Sequence, residues 1–322
     1  MTIVVAMEDA VLIRAAGSVT ERLAEYRPEC VAAAEAAIVC GTVDAGLWRS
    51  TDGGETWAHV ASELITDRVT AVAIDSREPD VVWAGTEPSA LFRSTDGGET
   101  WTAMPALTDL ETADEWSFPP RPHTHHVRWI EPDPYDPHRL YVGIEAGALL
   151  ISADGGQTWL ERPQGSRVDN HQLATHPSAP GRVYSAAGDG YAESVDFGET
   201  WTHPQTGLDH RYVWSVAPDP RDPETVLVSA ASGAYAAHSQ PAESYVYRRE
   251  GDDDWSRLDG LPTGEGVSRA VLAGIDDSEF VAANNRGVFR SVDTGETWTG
   301  LDRHWPDRFS DQTVRGLAVI HD

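Results

Sequence analysis

Ser50-Thr-Asp-Gly-Gly-Glu-Thr-Trp57 recurs four more times in this chain with small changes, as Ser94 to Trp101, Ser152 to Trp159, Ser194 to Trp201 and Ser291 to Trp298. A sixth, worn copy runs from Arg248 to Trp255, with Glu250 in the Asp place and Asp254 in the Thr place. The closing tryptophans stand 44, 58, 42, 54 and 43 residues apart. A period in the forties built of short strands marks a radial array rather than one globular core. The phrase has a mechanical meaning. Its Asp carboxylate accepts hydrogen bonds from backbone N–H groups of the following turn, and the glycine supplies a positive φ there without steric cost. Thr and Trp then open the next strand, where both suit a half-buried pleated surface. The aspartates Asp52, Asp96, Asp154, Asp196 and Asp293 are therefore read as structural.

Each phrase is preceded by a second pattern of strand, Pro/Asp turn and strand, clearest in Val213-Trp-Ser-Val-Ala-Pro-Asp-Pro-Arg-Asp-Pro-Glu-Thr-Val-Leu-Val-Ser229. Val127 to Pro134 followed by Arg139 to Gly143 repeats it, as does Leu173 to Pro177 before Val183 to Ser185. With the two strands flanking each phrase, this makes four antiparallel strands per unit. Six units span approximately 28–60, 67–104, 124–163, 168–204, 210–258 and 267–300. The ends complement one another. Val314 to Ile320 reads as a first strand, whereas Ile3 to Ala6, Ala10 to Arg14 and Val19 to Leu23 read as second, third and fourth strands. Residues 313–322 joined with 1–25 make a seventh unit and remove two open sheet edges. The expectation is an all-β, seven-bladed β-propeller in a single domain, 1–322, closed by pairing of the C-terminal strand with the N-terminal strands.

The eight-residue phrase resembles the Asp-box, or BNR, repeat of sialidase-like propellers, and five intact copies extend the resemblance over nearly the whole chain. Asp-box relatives include sialidases, xyloglucanase-type glycosidases, sorting receptors and photosystem assembly factors, so the fold does not settle function. The phrases Thr124-His-His-Val-Arg128 and Leu173-Ala-Thr-His-Pro177 resemble those of bacterial and archaeal BNR-repeat proteins labelled glycosyl-hydrolase-like. Sialidases also carry an Arg-Ile-Pro motif. This chain has none, so the resemblance transfers no sialidase residue to it.

Composition narrows the field. Lysine is absent, and 24 arginines face 52 acidic residues for a formal charge of −28. Self-repulsion of that size destabilises a compact state in dilute salt and is screened at molar salt. The balance points to the cytoplasm of a salt-accumulating halophile. It argues against nucleic acid, which needs a basic footprint, and against an anionic membrane surface. The N-terminus enters strand pattern at Ile3 without a basic leader, which fits a cytoplasmic, soluble chain. Cys30 and Cys40 fall on neighbouring strands, where they are expected to be reduced core residues that sit opposite each other.

In such a blade the Asp-box and Asp/Pro turns share one face, and the long insertions fall on the other. Segment 105–126 brings Trp116, Phe118, His123, His125 and His126, segment 232–244 brings Tyr235 and His238, and segment 301–313 brings His304, Trp305 and Phe309. Loops on a rigid scaffold are where binding function usually sits. Six residues before Pro132, Pro177 and Pro218 stand His126, His171 and Tyr212, which suggests equivalent positions in three consecutive blades. Glu8, Asp44, Glu87, Glu145 and Asp189 fall on the same rim, and Arg68, Arg128, Arg211, Arg269 and Arg315 lie near inner-strand starts.

Three readings follow. A divalent metal is held by His126, His171 and Glu145, since imidazole and carboxylate suit zinc or manganese. Alternatively His125, His126, His171, Arg68, Arg211, Tyr212 and Glu145 bind a small polar molecule or glycan. Catalytic candidates on that face are Glu87, Glu145, His126, His171 and Tyr212, with two carboxylates serving a glycosidase or lyase. In the third, these groups satisfy one another in a polar, water-filled channel mouth. A further function class is a protein-interaction scaffold anchored by exposed Trp and Phe of the insertions.

Overall fold

A computed structural model describes residues 1–66, 68–302 and 305–320. His304 of the third insertion lies outside the described residues. Seven small antiparallel sheets account for nearly all regular structure, and the fold is an all-β, seven-bladed β-propeller. The chain divides into two compact units, Met1–Arg162 with Arg315–Asp322, and Pro163–Val314.

The first unit holds four four-stranded sheets. One joins the chain ends: Gly316–Ile320, Thr2–Ala6, Val11–Ala15 and Ser18–Arg22, in that spatial order. Gly316 pairs with Ala6 and Ile320 with Thr2, the complementarity anticipated from the two ends. The others run Pro28–Ala34 to Ala58–Val60, Arg68–Ile74 to Thr102–Ala103, and Val127–Pro132 to Leu160–Glu161. Within the unit, a first strand packs its apolar residues against the neighbouring blade. Val127, Ile130, Leu140 and Val142, for example, share a cluster with Ala71, Trp83 and Trp116. Burying a side chain of that size stabilises by about 1.5–3 kcal/mol.

The second unit holds three sheets. That of Asn170–Thr175, Val183–Ala187 and Gly190–Ser194 has three ladder strands instead of the expected four. Its outer segment meets the sheet through an isolated bridge, Glu193 to Thr202, and bridges Gln164 through Thr200. Elsewhere the strand edge is covered by side chains, because Tyr191 N–H donates to Gln205 Oε1 at 3.0 Å and Arg167 Nη2 donates to Tyr191 O at 2.7 Å. The next sheet, Tyr212–Asp219 to Ser256–Leu258, has the longest strand of the chain, Asp222–Ala231, and carries the worn phrase. There Trp255 Nε1 donates to Pro204 O and a buried Glu193–Arg249 ion pair braces the blade. The last sheet runs Val271–Ile275 to Thr299–Gly300.

The five intact phrases close as their chemistry requires. In the first, Ser50 Oγ donates to Asp52 Oδ1 at 2.8 Å, Gly54 N–H donates to Ser50 Oγ at 2.9 Å, and Thr56 N–H donates to Asp52 Oδ1 at 2.9 Å. Gly54 adopts φ +88°, and an added Cβ would lie 1.9 Å from Ile13 Cδ1, so only glycine fits. Hydrogen bonds from the Thr hydroxyl and backbone hold Asp52, Asp96 and Asp154 down at about 2. For Asp196 and Asp293 burial pushes upward, yet the same threonine bonds outweigh it and the net shift is down.

Cys30 and Cys40 are free and buried, but they do not face each other. Cys30 pairs with Gly41 and Cys40 with Val31, so the two thiols point to opposite faces of the blade and join different core clusters.

Candidate functional site

The inner strands decide what the site contains, and a recurring bulge decides which residues face it. In five blades the register slips by one residue near the start of the first strand, at Glu29, Thr70, Arg128, His171 and Trp214. A bulge of this kind re-aims a side chain and strengthens local twist. The bulged residues also clasp the next blade: Thr70 Oγ1 donates to Val127 O at 2.6 Å, and His171 Nδ1 donates to Val213 O at 2.7 Å.

This register corrects the sequence alignment. Pro132 pairs with Leu140 and Pro218 with Val226, but the matching position in the intervening blade is Thr175, paired with Val183. Pro177 lies two residues further on, in the turn. The equivalents of His126 are Arg68, Asp169 and Tyr212, whereas His171 corresponds to Arg128 and Trp214. The assignment of His126 and His171 to one register position is therefore wrong, and Asp169 was missed. Counting back from the box serines Ser152 and Ser194 would have found it, since each pairs with the first residue of the second strand.

In the first unit the candidate residues form one charged network. Glu87 receives both oxygens' worth of a bidentate contact from Arg121 in the insertion, Nε and Nη2 each at 2.6 Å, and has Arg68 Nη1 at 3.6 Å. Arg68 in turn donates to Glu29 at 2.6 Å. Burial opposes ionisation of Glu29, but Arg315, Arg68 and Arg128 together outweigh it and hold its carboxyl below the usual range. Glu145 faces His126 Nε2 at 2.9 Å and Arg128 Nε at 3.5 Å. His126 is 4% exposed, its ring meets Phe118 edge-on at 4.7 Å, and among the described residues its Nδ1 has no hydrogen-bond partner. Its Nδ1 is thus a buried polar atom open to a hydroxyl or amide, which it meets as an acceptor in the neutral ring or as a donor in the imidazolium. His125 is half-buried beside Trp116, its Nδ1 accepts from Ser89 N–H at 3.4 Å, and its pKa is lowered by burial and then by His126. Glu8 pairs with Arg315 at 3.1 Å, while Asp44 lies exposed 4.0 Å from Arg27.

In the second unit Tyr212 Oη lies 3.1 Å from His238 Nε2, and His171 lies with its ring centre 4.7 Å from that of Tyr212 and 4.6 Å from that of Trp214. Asp169 Oδ2 stands 3.8 Å from His171 Nε2. Arg211 is exposed and lines a separate cleft of 690 Å³ with His203, Gln205 and Asp209. Asp189 is engaged by Arg167 at 3.8 Å. Of the three metal candidates, His126 and Glu145 face each other in the first unit, and His171, in the second, spends Nδ1 on the Val213 carbonyl. Of the insertion tryptophans and phenylalanines expected to stand out as protein anchors, Trp116 and Phe309 are buried and Phe118 and Trp305 half-buried. Arg121 and Glu29 escaped sequence reasoning. Glu29 could have been found from its place at the inner-strand start, but nothing local marks Arg121.

The BNR/Asp-box repeat profile matches residues 48–59 and 92–103. The chain is thus a seven-bladed β-propeller built from BNR/Asp-box repeats. Solved structures similar to it include an ancestral GH74 enzyme, with TM-score 0.66 and 14% identity over 87% of this chain and 39% of that one. The GH74 enzyme of Niastella koreensis aligns with TM-score 0.66 and 18% identity over 92% and 53%. YCF48 bound to D1 peptide aligns with TM-score 0.60 and 19% identity over 85% and 82%. The chain spans well under two thirds of the length of the two GH74 enzymes. No curated protein matches it in sequence. Among the described residues no helix is long and apolar enough to cross a membrane.

Proposed function

We propose that this propeller is a binding protein whose charged inner-strand face recognises a polar, hydroxyl- or amide-bearing ligand such as a glycan. The observation that carries the reading is His126, a buried imidazole with one nitrogen against Glu145 and the other with no hydrogen-bond partner among the described residues. A buried polar atom without a partner is costly unless a ligand or water meets it. Recognition is favoured over glycoside hydrolysis by the state of the carboxylates. A glycosidase needs two carboxyls free to flank the scissile bond. Glu87 is instead engaged by Arg121 and Arg68, and Glu145 by His126 and Arg128.

Calorimetry against a panel of neutral and acidic oligosaccharides and short peptides tests this. Binding without turnover, lost in His126→Phe while the melt is unchanged, is the expected result. The GH74 likeness supports the second reading, a glycoside hydrolase on the same face. Release of reducing ends that stops in Glu87→Gln or Glu145→Gln would establish that reading and overturn the first.

A further inference from the structure

Beside the three-stranded blade, the segment that would have completed its ladder folds into a cleft of 690 Å³. His203, Gln205, Thr206, Asp209 and Arg211 wall it around the buried Leu208. The segment is held from behind. Trp255 N–H donates to Thr206 O at 2.9 Å, its Nε1 donates to Pro204 O at 2.7 Å, and Leu208 N–H donates to Gln205 O at 3.1 Å. Gly207 turns there with φ +82°, and an added Cβ would lie 2.3 Å from Trp255 O. Gln205 gives Oε1 to Tyr191 N–H, which leaves its Nε2 hydrogens as donors. His203 donates from Nε2 to Gly165 O at 2.8 Å. The walls are thus set in advance, as in most small-molecule sites.

The charges of this cleft do not neutralise one another. Carboxylate partners abound in a chain where 52 acidic residues face 24 arginines. Yet Asp209 and Arg211, both exposed and two residues apart on the cleft, have no ion-pair or hydrogen-bond partner for their side chains among the described residues. Each is felt instead by a group it does not compensate. Burial, and then Asp209, push the Tyr247 phenol up to about 12. Burial lowers the pKa of Arg167, Asp189 opposes that, and Arg211 lowers it further. Arg167 sits against the wall, since a Cβ on Gly190 would lie 2.2 Å from Gln205 Oε1 and 2.8 Å from Arg167 Nη2. Its Nη1 stands 3.8 Å from Asp189, beyond hydrogen-bond reach, and its Nε is buried with no partner among the described residues.

We propose that this cleft binds a small zwitterion, an amino acid or amino-acid-like molecule, with its carboxylate on Arg211 and Arg167 and its ammonium on Asp209. An anion alone would meet Asp209 uncompensated, and a cation alone would meet the two arginines. A neutral sugar would leave all three charges unanswered. Thr206 and the Gln205 amide supply neutral polar contacts beside them. The site draws on residues of the second unit only, so it stands apart from the function proposed for the face around His126.

Calorimetry on the full chain in about 0.1 M NaCl, where charges are still felt over about 10 Å, tests it. The probes are glycine, β-alanine and γ-aminobutyrate, which differ in the spacing of their two charges, with propionate and propylammonium as single-charge controls. At least one zwitterion should bind about tenfold more tightly than either control, the equivalent of one added charge-assisted hydrogen bond. Arg211→Gln and Asp209→Asn, both at exposed positions, should each abolish that preference with the melt unchanged. The two substitutions should also cross: Asp209→Asn strengthens propionate and Arg211→Gln strengthens propylammonium. His126→Phe should leave zwitterion binding intact, so the failure of this site and the failure of the His126 face are read separately. Propionate binding as tightly as every zwitterion, no zwitterion binding below about 0.1 M, or a preference that survives both substitutions would overturn the proposal. Should a variant fail to fold, the ligand series on the wild type decides.

Discussion

Truncation after Arg315 removes the strand Gly316–Ile320, and its cost can be worked from the register. Five residue pairs join this strand to Thr2–Ala6, from Gly316 with Ala6 to Ile320 with Thr2. An antiparallel ladder of that length carries about five backbone hydrogen bonds, each worth about 1 kcal/mol net, for a loss of about 5 kcal/mol. Packing adds to it, since Ala318 and Ile320 lie against the cluster of Val4, Ala6, Val31 and Cys40. Domains of this kind have about 5–15 kcal/mol to lose, so most of the stability should go. The truncation also turns Thr2–Ala6, with Ile3, Val4 and Val5 buried, into an open sheet edge, which favours aggregation. Urea unfolding followed by tryptophan fluorescence should show the midpoint collapsing toward zero. A synthetic peptide of residues 316–322 should restore it in a concentration-dependent way. A truncated chain that unfolds within about 1 kcal/mol of the parent would refute the argument, because the ladder would then contribute far less than its bonds require.

Thermal melting should rise steeply from about 0.1 M to about 3 M KCl as the acidic surface is screened, and a flat profile would reject the salt-adapted reading. The Asp-box carboxylates should make stability fall in acid. Asp52, Asp96 and Asp154 lie at about 2 when folded against the ordinary 3.8, so their contribution is complete above 3.8 and lost as pH falls through that window. Urea midpoints between pH 5 and 2 should show the decline, and Asp154→Asn should make it shallower. Gly85→Ala would place a Cβ 2.5 Å from Val127 Cγ1 and 2.6 Å from its Cβ. It should cost about 1–3 kcal/mol, with Gly233→Ala, which meets nothing within 4 Å, near neutral by the same urea assay.

How much was legible before the structure differs sharply between architecture and site. The Asp box announces itself because every bond that closes it, from Ser50 to Thr56, joins residues at most four apart in sequence. Blade number followed from counting those turns, and the joining of the chain ends followed from the complementary patterns at Val314 to Ile320 and Ile3 to Arg14. The three-stranded blade escaped because propensity does not reveal whether an outer segment completes its ladder or is held by side chains such as Gln205.

The site obeys different physics. A bulge inserts one unpaired residue with no sequence mark, and because strand side chains alternate, a slip of register changes which residues share a face. His171 was misplaced because its anchor, Pro177, lies in the turn two residues beyond the strand position held by Pro132 and Pro218, and Asp169 was overlooked with it. The decisive contacts are also non-local. Arg121 grips Glu87 across 34 residues, and Arg269 donates to His238 across 31. The amino-acid sequence by itself determined the repeat, the strands and the way the ends meet, since short-range hydrogen bonding and alternating burial are written residue by residue. Which of its many histidines, arginines and carboxylates meet, and which of them are consumed by one another, was decided only by tertiary structure, because those encounters depend on how separate blades and insertions pack.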